Sequence, residues 1–96
     1  MREVLAVENE NKSKVEDTLK KDDEVNRGSI LVKSASSLDI DEDVYFIIID
    51  ASEERIKRAK ELVKGLAKSY KDAKKVLDKI DEQENAAIEG FGNILG

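Results

Sequence analysis

Val44-Tyr45-Phe46-Ile47-Ile48-Ile49 is the stretch on which the fold turns. Every position is β-branched or aromatic, so both alternating faces of a strand built from it are apolar. An antiparallel strand wet on one side alternates with polar residues, and this one does not. It is read as a central strand covered on both faces, and the rest of the chain must supply two covers.

Upstream, residues 36–43 (Ser-Ser-Leu-Asp-Ile-Asp-Glu-Asp) read as a polar connection of hairpin type. Residues 29–35, with Ile30, Leu31 and Val32 at their heart, are a second strand, and residues 3–7 a first. Between them Val15, Thr18 and Leu19 recur at helical spacing, which predicts a short amphipathic helix over residues 12–21. Asn9, Asn11 and Ser13 are available to cap it, and residues 22–28 form the following turn.

Downstream, Asp50 or Ser52 can cap a helix whose first turn carries Glu53 and Glu54, suited to the positive end of its dipole. Ile56, Ala59, Val63, Leu66, Tyr70, Ala73, Leu77 and Ile80 then recur at steps of three and four, and Ala87 and Phe91 resume the register. This is a heptad seam, which Gly90 is expected to end. A single helix over residues 52–89 would be about 57 Å long, against a radius of gyration of about 13 Å for a compact domain of this size. The alternative is a helix pair broken near Lys68-Ser69-Tyr70-Lys71-Asp72, with Ser69 as the second cap. Length favours the pair. Gly65, inside the pattern, either permits close packing or weakens the helix before the break.

The resulting order is β-α-β-β-α-α, an α+β domain over residues 1–89 with a glycine-punctuated apolar tail at 90–96. Placing the most apolar strand centrally gives a three-stranded sheet of order 1-3-2. That arrangement resembles a ferredoxin-like split unit whose last strand is replaced by a helix. The first two helices are expected on one sheet face. The C-terminal helix or a second copy of the chain covers the other, and two edge strands are left for pairing.

Composition narrows the chemistry. With 96 residues the chain has room for one modest core. It holds no cysteine and no histidine, so disulfides, thiolate zinc sites and the commonest general base are all missing. This points away from an enzyme, and no cofactor is implied. Charged residues are 41% of the chain and proline is absent, a balance that fits a thermophile's surface ion pairs. The longest apolar run, residues 44–49, is far short of the roughly 20 residues of a membrane span. The N-terminus lacks the apolar stretch of a signal peptide, so a cytoplasmic location is expected.

Three features are candidates for a function. Asp39, Asp41, Glu42 and Asp43 offer oxygen ligands. A cation loop of EF-hand type, however, requires a glycine where Val44 stands, so a solvated connection is the better reading and no metal is expected. Residues 52–80 carry net charge +5, against −6 before them and −4 after. Within them Lys57, Lys60, Lys64, Lys68, Lys71 and Lys75 would form a stripe beside the seam if the helix were continuous. Such a stripe can follow a phosphate backbone, but it lacks interleaved aromatics, and lysines flanking a seam are commonly its solvated shoulders. In the tail, Phe91, Ile94 and Leu95 either pack back on the body or form a docking contact. Tyr45 and Tyr70 read as residues at the core edge with wet hydroxyls.

The leading expectation is therefore a non-enzymatic interaction or adaptor domain that self-associates or binds another protein. A small-ligand regulatory module and an RNA- or DNA-binding protein using the lysine stripe are the alternatives. No membrane association is expected.

Overall fold

The computed structural model describes the backbone of residues 1–95 and the side chains of residues 1–84. Four strands and three α-helices follow in the order β1 (Arg2–Glu8), α1 (Lys12–Lys21), β2 (Ser29–Ser34), β3 (Val44–Asp50), α2 (Glu53–Leu62), β4 (Ala67–Ser69) and α3 (Ala73–Leu95). The strands form one antiparallel sheet of order β2-β3-β1-β4. The first three thus stand in the expected 1-3-2 order, and β3 is interior.

The period of two in β1 and β3 sorts the core into two layers. Leu5, Val7, Ile47 and Ile49 project to one face, with Ile30, Val32 and Tyr45 beside them. That face is covered by Val15 and Leu19 of α1, Val25 of the turn after it, Ile56 and Ala59 of α2, and Val63 just past its end. Val4, Phe46 and Ile48 project to the other, where Ala35, Leu38 and Ile40 of the β2–β3 connection and Val76 and Ile80 of α3 cover them. Phe46, Ile47 and Ile49 are fully buried and Ile48 is 5% exposed. Both faces of β3 are covered within one chain, so neither needs a second copy.

The expected three-stranded, truncated unit is corrected by β4. It pairs antiparallel with β1 through Leu5↔Ser69, Ala6↔Lys68 and Val7↔Ala67. What had read as a seam is split by it. Leu66 packs with the first layer and Tyr70 with the second. Leu66 lies in the turn before β4 and Tyr70 just after it, so the two flank the edge strand and do not share one helix face. Helix α2 ends at Leu62, and the chain turns through Gly65 at φ +86°. The Leu66 and Ala67 amides both donate to the Val63 carbonyl there, at 2.9 and 3.0 Å. Glycine suits this left-handed position because it has no Cβ to clash.

Other differences are local. Ser52 does cap α2, accepting from the Arg55 amide at 3.4 Å. No side chain caps α1, because residues 9–11 form a single 3-10 turn instead and Asn9 donates to Asp43 at 2.7 Å. The connection read as polar hides Leu38 and Ile40, with Asp39 between them at φ +58°. Helix α3 runs past Gly90, where the sequence pattern had ended it. An interior glycine costs only about 1 kcal/mol relative to alanine. No helix among the described residues is long and apolar enough to cross a membrane.

The two glycines flanking this architecture should respond differently to alanine. A Cβ at Gly65 meets nothing within 4 Å, so only the backbone conformation opposes it, and Gly65→Ala should cost about 1–2 kcal/mol. A Cβ at Gly28 would lie 2.7 Å from both the Ala51 Cβ and the Asp50 carbonyl oxygen, so Gly28→Ala should cost more. Phe46→Ala should cost about 3–5 kcal/mol by opening the second layer. Urea unfolding of the three variants ranks them. A Gly28→Ala protein as stable as the parent would show that β2 is not held against the end of β3 this closely.

Candidate functional site

The sheet order leaves β2 as an edge, hydrogen-bonded to β3 alone. Its register pairs Leu31 with Ile48 and Ser34 with Tyr45. One step further on, the Ala35 amide donates to the Val44 carbonyl at 3.0 Å. Since bonded and outward residues alternate along an antiparallel ladder, Leu31 and Lys33 turn their backbone groups toward β3. Ile30, Val32 and Ser34 turn theirs away from the sheet. The Ser34 carbonyl is taken by the Ser37 hydroxyl at 2.7 Å. The amides and carbonyls of Ile30 and Val32 have no protein partner among the described residues. Ile30, Leu31 and Val32 are all half-buried. This is an aliphatic strand edge whose bonding capacity is unused.

The opposite edge differs. β4 has only three residues, and Lys68 and Ser69 are exposed. A short polar edge strand offers little to an incoming strand.

Beside β2, on the α3 side, lies a shallow groove of about 230 Å³ lined by Leu31, Lys33, Ile80, Gln83 and Glu84. Gln83 fixes one wall by donating to the Ser37 carbonyl at 2.5 Å. A second cleft, of about 380 Å³, opens beside β4 among Ala6, Val44, Leu66, Ala67, Glu8 and Lys68.

The six lysines of the expected stripe do not lie along one helix. Lys57 and Lys60 are on α2, Lys68 is on β4 and Lys75 is on α3, while Lys64 and Lys71 lie in the connections. Helices α2 and α3 cover opposite faces of the sheet, so the stripe is divided by the body of the protein. Lys60 is also engaged by Glu3 at 3.1 Å. The side chains of Phe91, Ile94 and Leu95 lie outside the described residues.

Of the four carboxylates in the β2–β3 connection, Asp43 accepts from Asn9, and Glu42 accepts from the Tyr70 hydroxyl. The Tyr70 ring rests on Phe46, centroids 4.7 Å apart and tilted by 59°. The bond to Glu42 holds the phenol protonated and pushes its pKa up to about 12. Tyr70 thus ties the approach to α3 to the β2–β3 connection. Its ring sits at the core edge and its hydroxyl at the exposed rim, as expected, and that hydroxyl also acts as a structural donor. Among the described residues, no three acidic side chains gather where they could hold a metal ion.

A polar clamp passed unnoticed in the sequence. Arg58 Nε donates to both Asp22 carboxylate oxygens at 2.9 Å, and a terminal guanidinium nitrogen lies 2.8 Å from Oδ2. Asp22 also accepts the Glu24 and Val25 amides at 3.0 Å each. It therefore closes the turn after α1 and pins that turn to α2. In sequence it is one of three consecutive acids in a turn, and nothing local marks its partner 36 residues on.

No known protein family, curated protein or solved structure matches the chain.

The clamp has a predictable acid dependence. The Arg58 guanidinium, and after it the Val25 amide, lower the Asp22 pKa from 3.8 to about 2. A carboxylate held below its ordinary value stabilises the fold above that value, and the stabilisation is lost as pH falls toward the folded-state pKa. Asp22→Asn should therefore be less stable than the parent at neutral pH. The gap should narrow between pH 4 and pH 2. Urea midpoints of both proteins across that range measure it, and a gap unchanged at pH 2 would assign the loss to something other than the charge.

Proposed function

We propose that this protein is a cytoplasmic, non-enzymatic interaction domain that self-associates and serves as a small subunit or adaptor. The observation that carries the reading is the unused edge of β2, where Ile30 and Val32 hold out backbone groups beside aliphatic side chains. Exposed edges of this kind are the surfaces on which strands add. The covered faces of β3 narrow the reading, because they leave edges and the C-terminal segment as the means of association. Large exposed apolar residues among those described are only Met1 and Leu62, so among the described residues no broad apolar face competes with the edge. The absence of histidine and cysteine supports a role without catalysis.

A second reading, a module that binds a small ligand, is favoured by the cleft beside β4. There Ala6, Val44 and Leu66 supply apolar walls between Glu8 and Lys68. Concave, mostly apolar sites with a few convergent polar groups are the usual form of small-molecule sites. The nucleic-acid reading loses its motivation, since its lysines are divided between two faces.

Sedimentation equilibrium across a wide concentration range tests the first reading. The mass should rise above the 10.7 kDa of one chain as concentration increases. A single species of one-chain mass throughout would reject it. A concentration-dependent rise in melting temperature with one metabolite would then favour the ligand module.

A further inference from the structure

We infer that β2 pairs antiparallel with β2 of a second copy about a twofold axis at Leu31, joining the two sheets edge to edge. This rests on the self-association proposed above and specifies its geometry. Across a twofold axis, facing residues must lie on the same side of the sheet, and the bonded pairs must come from the outward set, Ile30, Val32 and Ser34. Only registers centred on a residue meet both conditions.

The side chains choose among those registers. Centred on Ile30, Leu31 faces Ser29 and Val32 faces Gly28 of the second copy, so two aliphatic residues on each side lose an aliphatic partner. Centred on Lys33, the two lysines face each other, and directly opposed like charges are unfavourable. Centred on Val32, Lys33 falls opposite Leu31 and Ile30 opposite Ser34, which mismatches polarity twice on each side. Centred on Leu31, each Ile30 faces a Val32 and the two exchange both backbone hydrogen bonds. Leu31 faces its own copy, and Lys33 faces Ser29. Every aliphatic residue of the strand then meets an aliphatic one. Lys33, which on an isolated edge discourages pairing, here selects the register.

The groove beside the strand supports the same arrangement. Leu31 and Lys33 project to the α3 side, where Leu31 lines the groove with Ile80 and Lys33 lines it with Glu84. In the Leu31-centred register the second copy's Leu31 enters on this side, next to the apolar part of the groove.

Two variants test the proposal. The Val32 amide points outward and makes no bond among the described residues, so proline there should leave the sheet intact while blocking an added strand. Val32→Pro should keep the parent's circular dichroism and sediment as one chain where the parent sediments as two. Facing Leu31 residues form a non-hydrogen-bonded pair, with Cα atoms about 4.5 Å apart, which lies within the span a disulfide bridges. The chain has no cysteine of its own. Under mild oxidation Leu31→Cys should therefore cross-link to a covalent dimer, and Ile30→Cys, Val32→Cys and Lys33→Cys should do so far less. A dimer that persists in Val32→Pro, or cross-links best at position 32 or 33, would overturn the edge register while leaving self-association standing. A parent that never leaves the one-chain mass, with no cross-linking at position 31, would overturn both.

Discussion

A strand apolar on both faces is stable only between two covers, and β3 imposes that condition on the whole chain. Fully burying one aliphatic side chain contributes about 1.5–3 kcal/mol. An exposed ion pair contributes about 0–1 kcal/mol. The many surface charges, including the α1 pairs Lys12–Glu16 and Lys20–Glu16, are therefore secondary to the two layers around Ile47 and Phe46. The layers are built differently. One is a pair of helices on strands. The other is a helix together with a loop that donates Leu38 and Ile40.

The second layer depends on a reversal of direction. For the same chain to supply α2 to one face and α3 to the other, it must pass around the sheet edge between them. Gly65 begins that passage and β4 makes it, using β1's free side. The passage thus also protects one edge with a short strand. Among the described residues nothing comparable protects β2, where the serine cluster ends the strand and Ser37 caps the Ser34 carbonyl. Tyr70 and the Asp22–Arg58 clamp then fasten one cover each: Tyr70 at the root of α3, Asp22 at the junction of α1 and α2.

The long periodic elements were legible in the sequence for a plain reason. Where Val15 and Leu19, or residues 44–49, repeat at one period over a whole element, local pattern and burial agree. Helix α1 and the starts of β2 and β3 fell where the pattern put them. Illegible features were those in which one spacing serves two structures. Ile56 to Ile80 keep steps of three and four straight through a turn and a strand, because Leu66 and Tyr70 are apolar for opposite faces. Leu38 and Ile40 alternate with aspartates, so a buried loop looked like a polar one. Of the candidate site, the edge strand was visible as a strand. Its outward parity was not, since that depends on which residues bond to β3. The lysine stripe failed with the helix continuity it presupposed.

The covers also arrive at different times. Synthesis proceeds from the N-terminus, so α1 and α2 leave the ribosome interspersed with the strands they shelter, while α3 follows all four strands. Until it emerges, Val4, Phe46 and Ile48 have only the loop residues Ala35, Leu38 and Ile40 over them. For that interval the nascent chain leaves bare part of a greasy plane that the finished molecule hides. The order of its elements makes translation itself the moment at which it is most exposed to misassembly.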